Sequence, residues 1–198
     1  MNNSFNCIIL LLLSGFTITG FTLELPDNAN VPGGVVIVPV HSTDKPRAYY
    51  NNNRVLVTGK KNNWQAIVGI PLSAEPGEHR LLVKDETGEF KHTFEITGKE
   101  YATQYLTIEN KRKVNPTPVD MERINQEKKL IQAAKAEWTE TDRMQLKLII
   151  PAAGPYSSPF GLRRYFNKQP RRPHSGLDIA AAEGTPIAAA ADGRVVNT

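Results

Sequence analysis

The sequence predicts a mainly β protein: an antiparallel β-sandwich in its amino-terminal part, a linking α-helix, and a second β-rich unit at the carboxyl end. Three observations predict it. Short β-branched and aromatic runs separated by turn residues fill 31–110. One stretch of helical periodicity lies within 111–145. From 146 to 198 the composition turns towards Gly, Pro and Ala. The chain has 198 residues, 40% hydrophobic and 22% charged, which is enough to bury a core and too few for three domains. Its single cysteine, Cys7, excludes a disulfide scaffold. Collagen, coiled coil and a multi-span membrane protein are excluded as well, and the net charge of +4 is too mild to imply nucleic acid.

Residues 1–23 carry no charged side chain, and Cys7 to Leu13 is a dense apolar run. A signal peptide over 1–22 is the expectation, with cleavage after Gly20 or Thr22. The rival is an uncleaved anchor, against which stands the length of the strongly apolar part, shorter than the roughly 20 residues of a spanning helix. Removal of this segment leaves no thiolate, so any zinc must be held by His and carboxylate.

Six strands are expected in the sandwich. Val35 to Val40 is β-branched and contains Pro39, and Arg54 to Val57 follows the polar Asn51-Asn52-Asn53. Trp64, Ala66, Val68 and Ile70 alternate with Gln65, Ile67 and Gly69. Glu75 to Glu78 and Asp85 to Gly88 read as turns around Leu81 and Val83. Phe90, His92, Phe94 and Ile96 share a face, and Tyr105 to Ile108 closes the set. Thr117 can cap a helix over 118–138, with Pro118 in its first position and Asp120 three residues after the cap. Met121, Ile124, Ile131, Ala134 and Trp138 then form one face of a packed connecting helix. Leu146 to Ile150 reads as a strand.

The chemistry falls between Phe160 and Val195. His174 and Asp178 are four residues apart. In an extended strand that separation is about 13 Å between Cα atoms, too far to share one ion. The chain must bend, and Gly176 allows it. An imidazole and a carboxylate suit zinc, which can activate a water at an open position. Alone, however, a His-x-x-x-Asp pair is more often an ordinary hydrogen-bonded pair.

Its surroundings carry more weight. Phe160-Gly161-x-Arg163, His174-x-Gly176-x-Asp178-Ile179, Gly184-Thr185-Pro186 and Ala191-x-Gly193-x-Val195 occur in this order. Over these residues the sequence resembles the opening half of lysostaphin-type zinc metallopeptidases, also called LytM-domain peptidoglycan endopeptidases. The resemblance implies that 146–198 is the first part of a β-rich LytM-type catalytic domain and 31–110 an accessory domain. It also implies that His174 and Asp178 are two of three zinc ligands, and that the substrates are the peptide stems or cross-bridges of peptidoglycan.

The chain departs from that family in one respect: no histidine follows His174. His41, His79 and His92 lie in the sandwich at no recognisable spacing. The third ligand and the catalytic His are therefore expected beyond Thr198, so no catalytic residue is assigned and the domain is read as truncated and inactive as it stands. Five cations lie between Gly161 and Arg172 (Arg163, Arg164, Lys168, Arg171, Arg172) without an acid. They suit an anionic envelope polymer or a solvated basic loop; nucleic acid is not expected for an exported protein. The leading expectation is an exported, periplasmic or envelope-associated zinc metalloendopeptidase of the cell wall. The alternative is a non-catalytic wall-binding or regulatory protein with a degenerate LytM domain. A third reading makes the sandwich a substrate-positioning or inhibitory module.

Overall fold

The computed structural model describes residues 23–141 and 144–197. The signal-peptide segment 1–22 and Cys7 lie outside the described residues. Among the described residues no helix is long and apolar enough to cross a membrane.

Six strands form one antiparallel sheet: β1 (Val35–Val40), β2 (Arg47–Tyr50), β3 (Asn53–Lys60), β4 (Asn63–Gly69), β5 (Gly77–Asp85) and β6 (Gly88–Ile96), in the order β1-β4-β3-β2-β5-β6. Strand β3 pairs with β2 through Val55 and with β4 from Leu56 onward, so it joins two leaves. The two edges are brought together by the segment before β1. Thr97 N–H donates to the Asn30 carbonyl at 2.8 Å, and the Asn30 side-chain amide donates to the Glu95 carbonyl. The same segment covers the free side of β1, where Pro39 sits, through Ala29 N–H to the Val35 carbonyl and Ile37 N–H to Asn28 Oδ1.

The expected alternation is found: Ala66, Val68, Ile70, Leu81, Val83 and Ile96 are buried with Val36, Val38 and Val40 in one core cluster. Six strands were expected and six are found, but their membership differs. β2 is the added strand; Asn51 and Asn52, both at positive φ, make a two-residue hairpin from Tyr50 to Asn53. Tyr105 is the one that leaves. It lies in β7 (Thr103–Leu106), which joins a second sheet in parallel with β9 (Arg163–Phe166). Stacking of Tyr105 on Tyr165, 4.9 Å between ring centroids, accompanies that pairing.

A short helix, α1 (Lys111–Val114), precedes α2 (Pro118–Ala136). The α2 start is the expected one: Thr117 accepts from Asp120 N–H and the Asp120 carboxylate accepts from Thr117 N–H. The expected packed face is corrected. α2 buries no residue, and Met121 and Ile131 are exposed. The helix ends at Ala136, so Trp138 lies past it and packs instead under Arg54, 4.4 Å from guanidinium to ring. Its apolar residues are too thinly spread among charges to make a continuous stripe.

Beyond the helix, Leu146 to Ile150 is not a strand. Ile149 N–H donates to the Ala190 carbonyl, and just past this stretch the Pro151 carbonyl accepts from Ala188 N–H. The remaining strands are short: β8 (Tyr156–Ser158), β10 (Gln169–Pro170) and β11 (Asp178–Ile179), with β10 on β9 and β11 on β8.

Candidate metal centre

Two backbone pairings bring the predicted residues together. Gly161 N–H donates to the His174 carbonyl at 2.7 Å, and His174 N–H donates to the Leu162 carbonyl at 2.9 Å. Asp178 stands opposite Ser158 across the β8–β11 pair. Between these anchors the chain bends at Gly176, as expected, although Gly176 is not among the positive-φ glycines. The left-handed glycine of the site is Gly161, at φ +87°. A Cβ there would stand 2.0 Å from the Tyr101 ring, so only glycine permits this approach.

His174 Nε2 and Asp178 Oδ1 face each other at 3.0 Å, with the His174 side chain only 11% exposed and that of Asp178 51%. His174 Nδ1 lies 2.9 Å from the Pro159 carbonyl, which can only accept, so the hydrogen is assigned to Nδ1. In a neutral ring the Nε2 lone pair then points at a carboxylate oxygen. Two acceptors at that distance need a cation or a proton between them. Two ligands of a tetrahedral zinc stand about 3.3 Å apart, given metal–ligand bonds of roughly 2.0–2.1 Å. The pair fits as half of such a shell, with the backbone carbonyl in the orienting role that ligating histidines ordinarily find.

Two more side chains shape the pair: Arg164, read from the sequence only as one of the five cations, and Ser158, given no role there. Arg164 Nη2 donates to Ser158 Oγ at 2.7 Å and lies 3.3 Å from Asp178 Oδ2. Asp178 is thereby held at one oxygen while the other faces His174. Ser158 is buried, its Oγ 3.3 Å from His174 Nδ1. Arg164 Nε is buried without a partner, so this corner keeps spare hydrogen-bonding capacity. The signal available in the sequence was alternation along Arg163-Arg164-Tyr165-Phe166, which sends adjacent arginines to opposite faces.

The remaining expectations sort as follows. Among the described residues no group of three or more His, Cys, Asp or Glu side chains could hold a metal. His79 has both ring nitrogens engaged, with Tyr50 Oη at 2.8 Å and the Glu75 carbonyl at 2.9 Å, and His41 contacts the Asn62 carbonyl. His92 is half-buried on β6, opposite Leu81. The five cations do not form a loop. Arg163 and Arg164 lie on β9, Lys168 in the two-residue turn to β10, and Arg171 binds the Val114 carbonyl at 2.8 Å.

Residues 28–99 match the family described as Peptidase family M23 N-terminal domain. The chain is also similar to a Pseudomonas aeruginosa protein whose crystal structure carries the designation peptidase M23, at 36% identity and a TM-score of 0.63. That match covers 82% of this chain and 60% of the other, so the chain spans about three-fifths of the length of its relative. Both likenesses are to proteins described as M23 peptidases. A search of curated proteins gives no match. The family match falls on the six-stranded sheet and the segment before β1, while the His174–Asp178 pair lies outside residues 28–99.

Proposed function

We propose that this chain carries part of a zinc-dependent endopeptidase centre acting on peptide bonds of peptidoglycan, in a protein exported to the periplasm or cell envelope. One observation supports it above the rest: His174 Nε2 and Asp178 Oδ1 converge to 3.0 Å while Nδ1 is fixed on a carbonyl. Zinc on such a pair would supply Lewis acidity towards a peptide carbonyl and a water of lowered pKa. This chain's own residues do the holding. Pro159 sets the imidazole tautomer, and Arg164 fixes which oxygen Asp178 turns inward. A closed shell needs at least a third donor, and among the described residues no group of three or more His, Cys, Asp or Glu side chains forms one.

Equilibrium dialysis with zinc tests the pair directly. Wild-type protein should bind one zinc, and His174→Ala should weaken that binding about 10- to 100-fold or more. Equal affinity in the variant would overturn the metal reading. The second reading, a non-catalytic wall-binding protein, is favoured by the lack of a third ligand within the described residues. It requires cosedimentation with purified sacculi and no muropeptide release in the presence of zinc, with any coding sequence after Thr198 included. Export is tested separately, by sequencing the amino terminus of the mature protein from the envelope fraction. A start near residue 21 or 23 supports it.

A further inference from the structure

A cavity of about 300 Å³ lies at the seam between the six-stranded sheet and the Gly161–Pro173 wall of the candidate metal centre. Tyr101 builds the seam. Its hydroxyl donates to the Pro32 carbonyl at 2.7 Å, and its ring meets Phe160 edge-on, 6.2 Å between centroids. Pro32, Leu72 and Pro173 give the cavity apolar walls. Its charged lining is two cations, Lys99 and Arg163, and one acid, Glu100. Among the described residues no ion pair engages any of these three. The Lys99 ammonium is parked 4.9 Å over the Tyr101 ring, and Arg163, opposite Thr103 in the β7–β9 pair, leaves its guanidinium unneutralised. The described residues thus leave two cationic donors beside apolar walls, neither of them in an ion pair with Glu100 or any other acid of the chain.

We infer that this seam cavity is a carboxylate-binding subsite that takes the free carboxyl end of a peptide. A guanidinium and an ammonium provide charge-assisted donors. The proline and leucine walls suit small aliphatic side chains next to that carboxylate. Position gives the subsite its use. The turn that hydrogen-bonds His174 at Gly161 also lines the cavity, so a peptide anchored there lies beside the candidate metal pair. The peptide as substrate rests on the function proposed above; the carboxylate subsite does not, because no metal enters it.

The test is a titration of this chain, without added metal, followed by backbone amide shifts in NMR. The probes are N-acetyl-Ala-Ala with a free carboxylate, the same peptide as its carboxamide, and sodium acetate. The acid peptide should move the amides around Tyr101, Gly161 and Arg163. It should bind at least about tenfold more tightly than the carboxamide, the worth of one charged hydrogen bond. Arg163→Gln and Lys99→Gln, both exposed and so tolerated by the fold, should each weaken it several-fold. His174→Ala should leave it unchanged even if it abolishes zinc binding, which separates failure of this subsite from failure of the metal reading. Equal binding of acid and carboxamide overturns the proposal, and so does full binding in both cation variants. Acetate binding as tight as the acid peptide overturns the peptide assignment, and no shift with any probe overturns the subsite itself.

Discussion

The amino-terminal sheet and the carboxyl-terminal segment from 146 onward are held together by different forces. The sheet owns the whole main core: twelve buried residues, from Val36 to Ile96, with Ala48, Ala66, Val68 and Leu81 fully enclosed. The carboxyl-terminal segment buries Leu162 and leaves Leu148, Ile150, Ile187 and Val195 more than 60% exposed. Its order comes from backbone pairing, β7 against β9 and β11 against β8, and from the Tyr101 seam. The candidate metal pair sits in this second region. Its geometry is therefore set by a few directional contacts, each of which matters more than any one packing contact would.

The contrast breaks most visibly at Leu81. Leu81→Ala should destabilise the protein by about 2–5 kcal/mol, the range for enclosed leucines, measured as a shifted denaturation midpoint. Ile187→Ala, at a site 81% exposed, should change it by about 0.5 kcal/mol or less. Comparable losses at both would mean that the two regions share one core. Next in size is Gly161→Ala. A left-handed backbone and a clash with the Tyr101 ring should cost about 1–3 kcal/mol. That loss should appear as faster amide exchange in β9, with β4 and β5 unaffected.

Arg164→Gln sharpens the site itself. Releasing Asp178 Oδ2 should weaken zinc binding about tenfold, read by calorimetry. Unchanged affinity would reduce the Arg164 contact to an ordinary surface pair. The smallest effect concerns the start of α2. The Arg112 guanidinium, with help from Thr117, holds the Asp120 carboxyl well below the usual carboxylate range. A lowered folded-state pKa stabilises above the unfolded value and loses that contribution as pH falls towards the folded one. Helix content should therefore fall progressively as pH drops below about 5, through and beyond about pH 3, in the wild type, and fall less in Asp120→Asn. A flat wild-type profile over that window would count against the capping network.

Much of the fold was legible because its signals are local. Two-residue alternation from Trp64 to Ile70 follows from one wet and one dry face, and the Thr117–Asp120 cap is complete within four residues. β2 escaped notice because Arg47 to Tyr50 is too short for a period, although Asn51-Asn52 was a readable hairpin signal. The departure of β7 was not readable at all. Tyr105 has strand character in either sheet, and its partner, Tyr165, lies 60 residues away in the sequence.

The same division runs through the site. By itself the sequence determined the residue types of the candidate pair, the four-residue spacing and the need for a bend, because those depend only on side-chain chemistry and chain reach. Tertiary structure alone decided that Pro159 fixes the ring of His174, that Arg164 rather than Arg163 reaches Asp178, and that Tyr101 closes a cavity against Arg163. Those contacts join residues whose proximity is set by strand pairing, and pairing between distant segments is a property of the folded chain that no local pattern encodes.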